Sequence, residues 1–211
     1  MYKRQIFNSV PTLKNSSSNL WQHFYGVEIE TNDDFFNDRT VDLMDFNCDQ
    51  RNNVHFFYVL PFKKNRAMIE TTWLSKNDSS LKDYDAQIKN YINHLGIKNY
   101  KTTYKEEGAI PLFYPTYKKE KNKINIGTAG GMTRLSTGYT FLNIQDHCKF
   151  IRENFENISN VGRFEISKKY QFLDDIFLRV LNKHPEKMSD IFFNMFKTSP
   201  CLLYTSPSPR D

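Results

Sequence analysis

The sequence predicts a mixed α/β chain, with an antiparallel sheet in the first half and helices in the last third. Three observations predict it. Residues 55–62, HFFYVLPF, and 67–74 are rich in aromatic and β-branched side chains. They flank the polar turn Lys63-Lys64-Asn65-Arg66, the pattern of an antiparallel hairpin. Ile88, Tyr91, Ile92 and Leu95 recur at helical spacing, and Gly96 stops the run. Two further helical stretches, 168–182 and 186–197, are separated by Pro185, which cannot continue a helix.

The elements follow in order. Residues 1–20 hold the polar run Asn15-Ser16-Ser17-Ser18-Asn19, which reads as a loop. Residues 21–31 form a strand, 32–40 a polar turn region and 41–46 a short strand. The hairpin of 55–62 and 67–74 comes next, then Asp78-Ser79-Ser80 leading into a helix over 81–95. Residues 100–107 form another strand. The charge run 118–123 reads as a solvated hairpin or loop. Residues 124–126 form a short strand running into glycines 127, 130 and 131. A long helix opens at Thr137-Gly138 and runs to about 155. The organisation expected is a sheet-rich region over 1–123 and a glycine-motif and helical region over 124–200.

Composition narrows the function classes. Of 211 residues, 39% are hydrophobic and 25% charged, enough apolar material for a packed core. Phe 18 and Tyr 12 are many for this length, and they serve either as core or as the lining of an apolar pocket. A net charge of +5 is spread thinly; it permits contact with anionic lipid or nucleic acid but argues for neither, and no nucleic-acid partner is expected. There is no run of 18 apolar residues, and MYKRQIFNSV lacks an apolar signal core. Cys48, Cys148 and Cys201 form no paired motif, so neither a disulfide framework nor a metal site is expected. The setting read from this is cytoplasmic, with any membrane contact peripheral. Residues 201–211, CLLYTSPSPRD, break from the preceding composition. They resemble a translated sequencing-library adapter and are set aside.

Three segments bear on chemistry. In INIGTAGGMTRLSTGYTFLNIQ, residues 124–145, a strand ends in Gly127, Gly130 and Gly131. Ser136 and Thr137 are candidate caps of a helix whose positive end lies at Gly138. Such an end suits a phosphate or an anionic ring; a plain structural turn fits the spacing equally. Glu70 shares a strand face with Met68, Thr72 and Leu74, while Ala67, Ile69, Thr71 and Trp73 take the other. A carboxylate among apolar neighbours is raised in pKa, as an acid catalyst requires. The alternative is an edge-strand Glu facing solvent or bridging Arg66. Glu106-Glu107-Gly108-Ala109-Ile110-Pro111 reads more readily as a turn than as a site. His23 is either a pocket residue or a satisfied core histidine. No pair of histidines has ligand spacing.

Several motifs occur in one order: WQHFYG at 21–26 with IET at 29–31, LMDF at 43–46, FYVLPF at 57–62, RAMIE at 66–70, EGAIP at 107–111, IGTAGGMT at 126–133 and STGYTF at 136–141. The ordered set resembles the lycopene cyclase family, especially the bacterial β-cyclases, from about residue 21 to residue 200, nearly all of the chain before the adapter-like segment. The resemblance implies part of an FAD-dependent, aromatic-hydroxylase-like fold. The GxGxxG of its N-terminal dinucleotide-binding βαβ unit is missing here, so the chain is expected to be a fragment that binds FAD poorly alone.

By the same resemblance Glu70 is the proton donor. Gly127, Thr128, Gly130 and Gly131 form the second flavin-contact motif, with Thr128 where many related flavoproteins have Asp. Thr137, Gly138 and Tyr139 sit beside the isoalloxazine. The implied reaction is redox-neutral: reduced FAD, with NADPH as reductant, and acid-initiated closure of β-ionone rings on lycopene or a related linear carotenoid. A substrate that lives in the bilayer implies peripheral contact with the inner face of the membrane, with FFNMF at 192–196 as a candidate patch or as core. The alternatives are a flavin-dependent reductase or monooxygenase of polyprenyl substrates, or an inactive fragment.

Overall fold

The structure, a computed structural model, describes residues 5–14, 16, 18–76, 79–117, 122–158 and 163–198. The adapter-like segment 201–211 and residues 118–121 of the charge run lie outside the described residues. The chain is a mixed α/β protein with an antiparallel sheet and C-terminal helices. The strands are β1 (Ile6–Asn8), β2 (Leu20–Thr31), β3 (Asp42–Asp45), β4 (Val54–Lys63), β5 (Arg66–Lys76), β6 (Tyr100–Pro111) and β7 (Lys123–Asn125). The α-helices are α1 (Tyr84–His94), α2 (Phe141–Glu153), α3 (Lys168–Lys183) and α4 (Met188–Thr198).

The main sheet has the order β3-β4-β5-β2-β6, with every pairing antiparallel. β3, β4 and β5 follow one another as a meander, and β2 lies between β5 and β6. The β4–β5 hairpin turns at Lys64 and Asn65, neither of which is left-handed. Such a turn splays its strands, and the register shift between Pro61 and Lys63 takes up the twist. Phe35 and Phe36 N–H groups donate to the Lys64 carbonyl at 2.8 and 2.7 Å, tying the following loop to the hairpin.

One face of the sheet is closed by α1. Tyr84, Ile88, Tyr91 and Ile92 form its apolar stripe. They pack on Tyr25, Val27, Ile29, Phe57, Val59, Ala67, Ile69 and Trp73. The helix ends at left-handed Gly96, whose N–H donates to Asn93 while Ile97 N–H donates to Ile92. That is a Schellman ending, and Ile92 and Ile97 share the core beneath it. Polar groups on this face are satisfied: Thr71 and Trp73 both donate to Gln87 Oε1, at 2.7 and 3.0 Å.

The opposite face is covered at one end only. There Val54, Phe56 and Leu74 pack with Leu181 of α3 and Met188 and Phe192 of α4. Phe192 of the FFNMF run is therefore core, while Phe193 is 64% exposed.

β1 pairs in parallel with β7, and sequence reasoning missed it because three residues are too few to show a period. Three expectations are corrected. Residues 106–111 are not a turn but the second half of β6, paired with β2 from Trp21 to Gly26. The long helix starts at Phe141, not at Thr137-Gly138, because Gly138 is left-handed (φ 69°) and cannot join it. The last helix starts at Met188, preceded by a 3-10 turn over Pro185–Lys187.

Candidate functional site

Glu70 lies on β5, a central strand, so it is not an edge residue. In the register Tyr58 of β4 and Gly26 of β2 flank it, and Glu106 of β6 lies beyond Gly26. Directly opposed residues share a face, so Tyr58, Glu70, Gly26 and Glu106 form one row on the face away from α1. Glu70 is half-buried. Burial pushes its carboxyl pKa up, the Thr72 hydroxyl donating at 2.6 Å pulls it back, and the charge of Glu106 pushes it up further. Burial and the Glu70 charge raise the Tyr58 phenol to about 12, so it stays protonated.

Gly26 makes the row possible. A Cβ there would lie 3.0 Å from Met68 Sδ, 3.2 Å from Glu106 Cγ and 3.3 Å from Glu106 Oε1. The Glu106 side chain therefore leans over the bare backbone of Gly26 toward Glu70. Glu107 faces the other way, opposite Tyr25. Arg66 does not bridge Glu70. Its guanidinium pairs with Glu28 at 2.8 Å, and Glu28 also accepts from Thr103. The Thr103 bond, with Arg66, holds the Glu28 carboxyl below its usual range against the effect of burial.

Along the strands the next row on this face is Phe56, Thr72, Phe24 and Gly108, and the one after is Val54, Leu74, Gln22 and Ile110. Gly138 docks on that third row. It is left-handed, and a Cβ on it would collide with the Gln22 side chain and lie 3.6 Å from Ile110 Cδ1. Two rows are four residues, roughly 13 Å of strand. The face thus carries a carboxylate pair at one end, aromatic rings between, and the Gly138 turn at the other.

The turn is anchored from α3. Asp174 is 2% exposed and accepts from Arg134 Nε at 3.0 Å, from the second Arg134 nitrogen at 2.7 Å, from Leu135 N–H at 3.1 Å and from the Ser136 hydroxyl at 2.6 Å. Burial favours its neutral form, but these donors, Arg134 foremost, hold it below the usual carboxylate range. Arg134 also lies over the Tyr170 ring at 4.6 Å.

Ser136 and Thr137 are not helix caps. Ser136 is committed to Asp174, and Thr137 Oγ1 accepts from Tyr139 N–H at 3.3 Å. The α2 N-cap is Thr140, so the dipole end expected at Gly138 lies beyond it. Thr137 and Tyr139 are exposed.

Gly127 and Gly131 are left-handed and bracket a 3-10 turn over Gly127–Gly130. This segment packs away from the Glu70 row. Gly130 lies against Asn125 and His147, and Gly131 against Tyr117 and Arg163. On the side a Cβ of Gly127 would take there is open space. Thr128 Oγ1 accepts from the Thr133 hydroxyl at 3.4 Å. An apolar cleft of about 800 Å³ lies near here, lined by Phe7, Ile126, Gly127, Ile144, Ile151 and Phe155 among others, and none of its lining belongs to the Glu70 face.

The structure thus joins Glu70 and Gly138 on one face and leaves the 127–131 turn outside it. His23 is on the α1 face, paired with Tyr84 at 2.6 Å and Ser75 at 2.8 Å, a satisfied core histidine. Sequence reasoning missed Gly26, Tyr58 and the Arg134–Asp174 anchor. All three become visible only once strands and helices distant in sequence are paired.

A family profile described as lycopene cyclase protein matches residues 2–197. Lycopene beta cyclase of Capsicum annuum is 28% identical over 131 residues, 56% of this chain and 26% of that protein. The enzyme of Solanum lycopersicum is 33% identical over 85 residues, 40% of this chain and 17% of that one. The chain spans about a quarter or less of the length of these relatives. Among solved structures, a geranylgeranyl bacteriochlorophyll reductase-like protein from Thermoplasma acidophilum aligns at 13% identity and TM-score 0.46, covering 79% of this chain and 40% of that one.

Proposed function

The chain belongs to the lycopene cyclase family, and from that premise we propose that it supplies the proton-donating face of an enzyme closing β-ionone rings on lycopene or a related linear carotenoid. The observation that carries this reading is Glu70. It is half-buried on a face of apolar and aromatic side chains, and its carboxyl is biased toward the protonated form. Protonating an alkene needs an acid held away from water, and an ionised surface carboxylate cannot supply it.

In this reading the terminal double bond of the polyene lies over the Glu70 row. Glu70 donates its proton to the alkene carbon, and the neighbouring double bond closes the six-membered ring. A ring proton then leaves, so no net electrons move. Thr72 orients the Glu70 carboxyl through its 2.6 Å hydrogen bond. Phe24, half-buried in the adjacent row, presents aromatic surface that suits a polyene and tolerates positive charge.

A reduced flavin, with NADPH as reductant, is part of the proposal. The residues fit in part: open space beside left-handed Gly127 and the exposed Thr137 and Tyr139 around Gly138 leave room for its ring and chain. Gly127, Thr128, Gly130, Gly131, Thr137, Gly138 and Tyr139 are the residues that would hold it. The inner side of Gly131 is filled by Tyr117 and Arg163. Bound there, the flavin would supply electron density that stabilises positive charge on the substrate. A substrate from the bilayer implies peripheral membrane contact on the cytoplasmic side.

The test is expression, in lycopene-accumulating cells, of a polypeptide of the relatives' full length carrying residues 1–200. β-Ring carotenoids on chromatography are expected. Hydrogenated or oxygenated polyprenyl products without rings would favour a reductase or monooxygenase instead.

A further inference from the structure

We propose that Glu106 is a second catalytic carboxylate, the base that takes the proton released after ring closure. The inference rests on the cyclase reading of Glu70 and deepens it.

Three observations carry it. Glu106 sits in the same sheet row as Glu70, one strand beyond Gly26. The missing side chain of Gly26 lets Glu106 cross the gap, with its Cγ and Oε1 within 3.2 and 3.3 Å of where a Cβ would be. Glu106 is also uncommitted: among the described residues it forms no ion pair or hydrogen bond. Glu28, a further carboxylate on this face, is held by Arg66 and Thr103. Glu107 is turned to the opposite face.

The chemistry balances. The Glu70 carboxylic acid gives its proton to the terminal alkene carbon, forming a C–H bond and leaving a tertiary cation. The next double bond attacks, forming the ring C–C bond and moving the positive charge onto the ring. A ring C–H then breaks; its electron pair becomes the ring double bond and its proton goes to the Glu106 carboxylate. Glu70 is left ionised and Glu106 protonated. One proton crossing the Gly26 gap restores the starting pair. The position of the base also decides which ring hydrogen leaves, and so the position of the double bond.

The test uses the full-length polypeptide in lycopene-accumulating cells, with Glu106→Gln and Gly26→Val as variants. The readouts are lycopene consumed and ring type formed. Glu106→Gln is expected to go on consuming lycopene while β-ring output falls on the order of 10²-fold. Isomeric rings or water-trapped hydroxylated rings should appear instead. Gly26→Val keeps both carboxyls but pushes Glu106 aside, and should shift products the same way. It decides the matter if Glu106→Gln is insoluble. β-Rings at the wild-type rate from either variant would overturn the assignment, and so would soluble Glu106→Gln that consumes no lycopene. Wild-type protein that consumes no lycopene would overturn the cyclase reading and this inference with it.

Discussion

His23 and His55 are each 3% exposed, and burial lowers both pKa values from 6.5 to about 4. The unfolded chain therefore takes up protons before the folded one as pH falls. Stability is full above about pH 6.5 and is lost as pH drops toward 4, by roughly 3 kcal/mol per histidine at the limit. Denaturant unfolding at pH 7 and pH 5 checks this: the midpoint should fall, and His55→Gln should flatten the fall. An unchanged midpoint would mean that these histidines are not buried neutral. Glu70 was legible as a candidate because the strand period of two leaves one carboxylate among apolar neighbours. Its partner was not, because Glu106 meets Glu70 only through two strand pairings and a glycine between them. Glu106-Glu107 before Gly108 has turn chemistry, and pairing with β2 overrides it.

At the scale of elements, the hairpin, α1 and its glycine stop were legible because their signals are local. The start of α2 was not. Ser136-Thr137-Gly138 has the chemistry of a helix cap, but Asp174, far along the chain on α3, claims the Ser136 hydroxyl and the Leu135 N–H. The segment becomes an anchored turn that presses Gly138 on Gln22 and Ile110. Asp174→Ala should release the turn and leave the Arg134 charge without its partner. A loss of about 3–5 kcal/mol is expected, as for a broken buried pair. Thermal melting checks it, and an unchanged melting temperature would show that the anchor contributes nothing.

Across the whole molecule the sheet divides its work between two faces. The α1 face is closed, with Trp73, Ile69 and Thr71 fully buried and its polar groups paired. On the other face α3 and α4 pack on Val54, Phe56 and Leu74, and Glu70 and Glu106 stay half-buried beyond them. That division follows from period-two strands, and the mixed class could be read from it. Strand order, with β2 between β5 and β6, could not, because nothing local to β2 names its neighbours. In the proposed reaction Glu70 donates the proton that starts ring closure. The measurement that tests it most directly is carotenoid composition for Glu70→Gln in the full-length polypeptide, with flavin content of the purified variant alongside. Gln keeps the shape and has no acidic proton, so β-rings should fall by about 10²–10⁴-fold with lycopene left unconsumed and flavin content unchanged. β-Ring output near the wild-type level from Glu70→Gln would contradict the account.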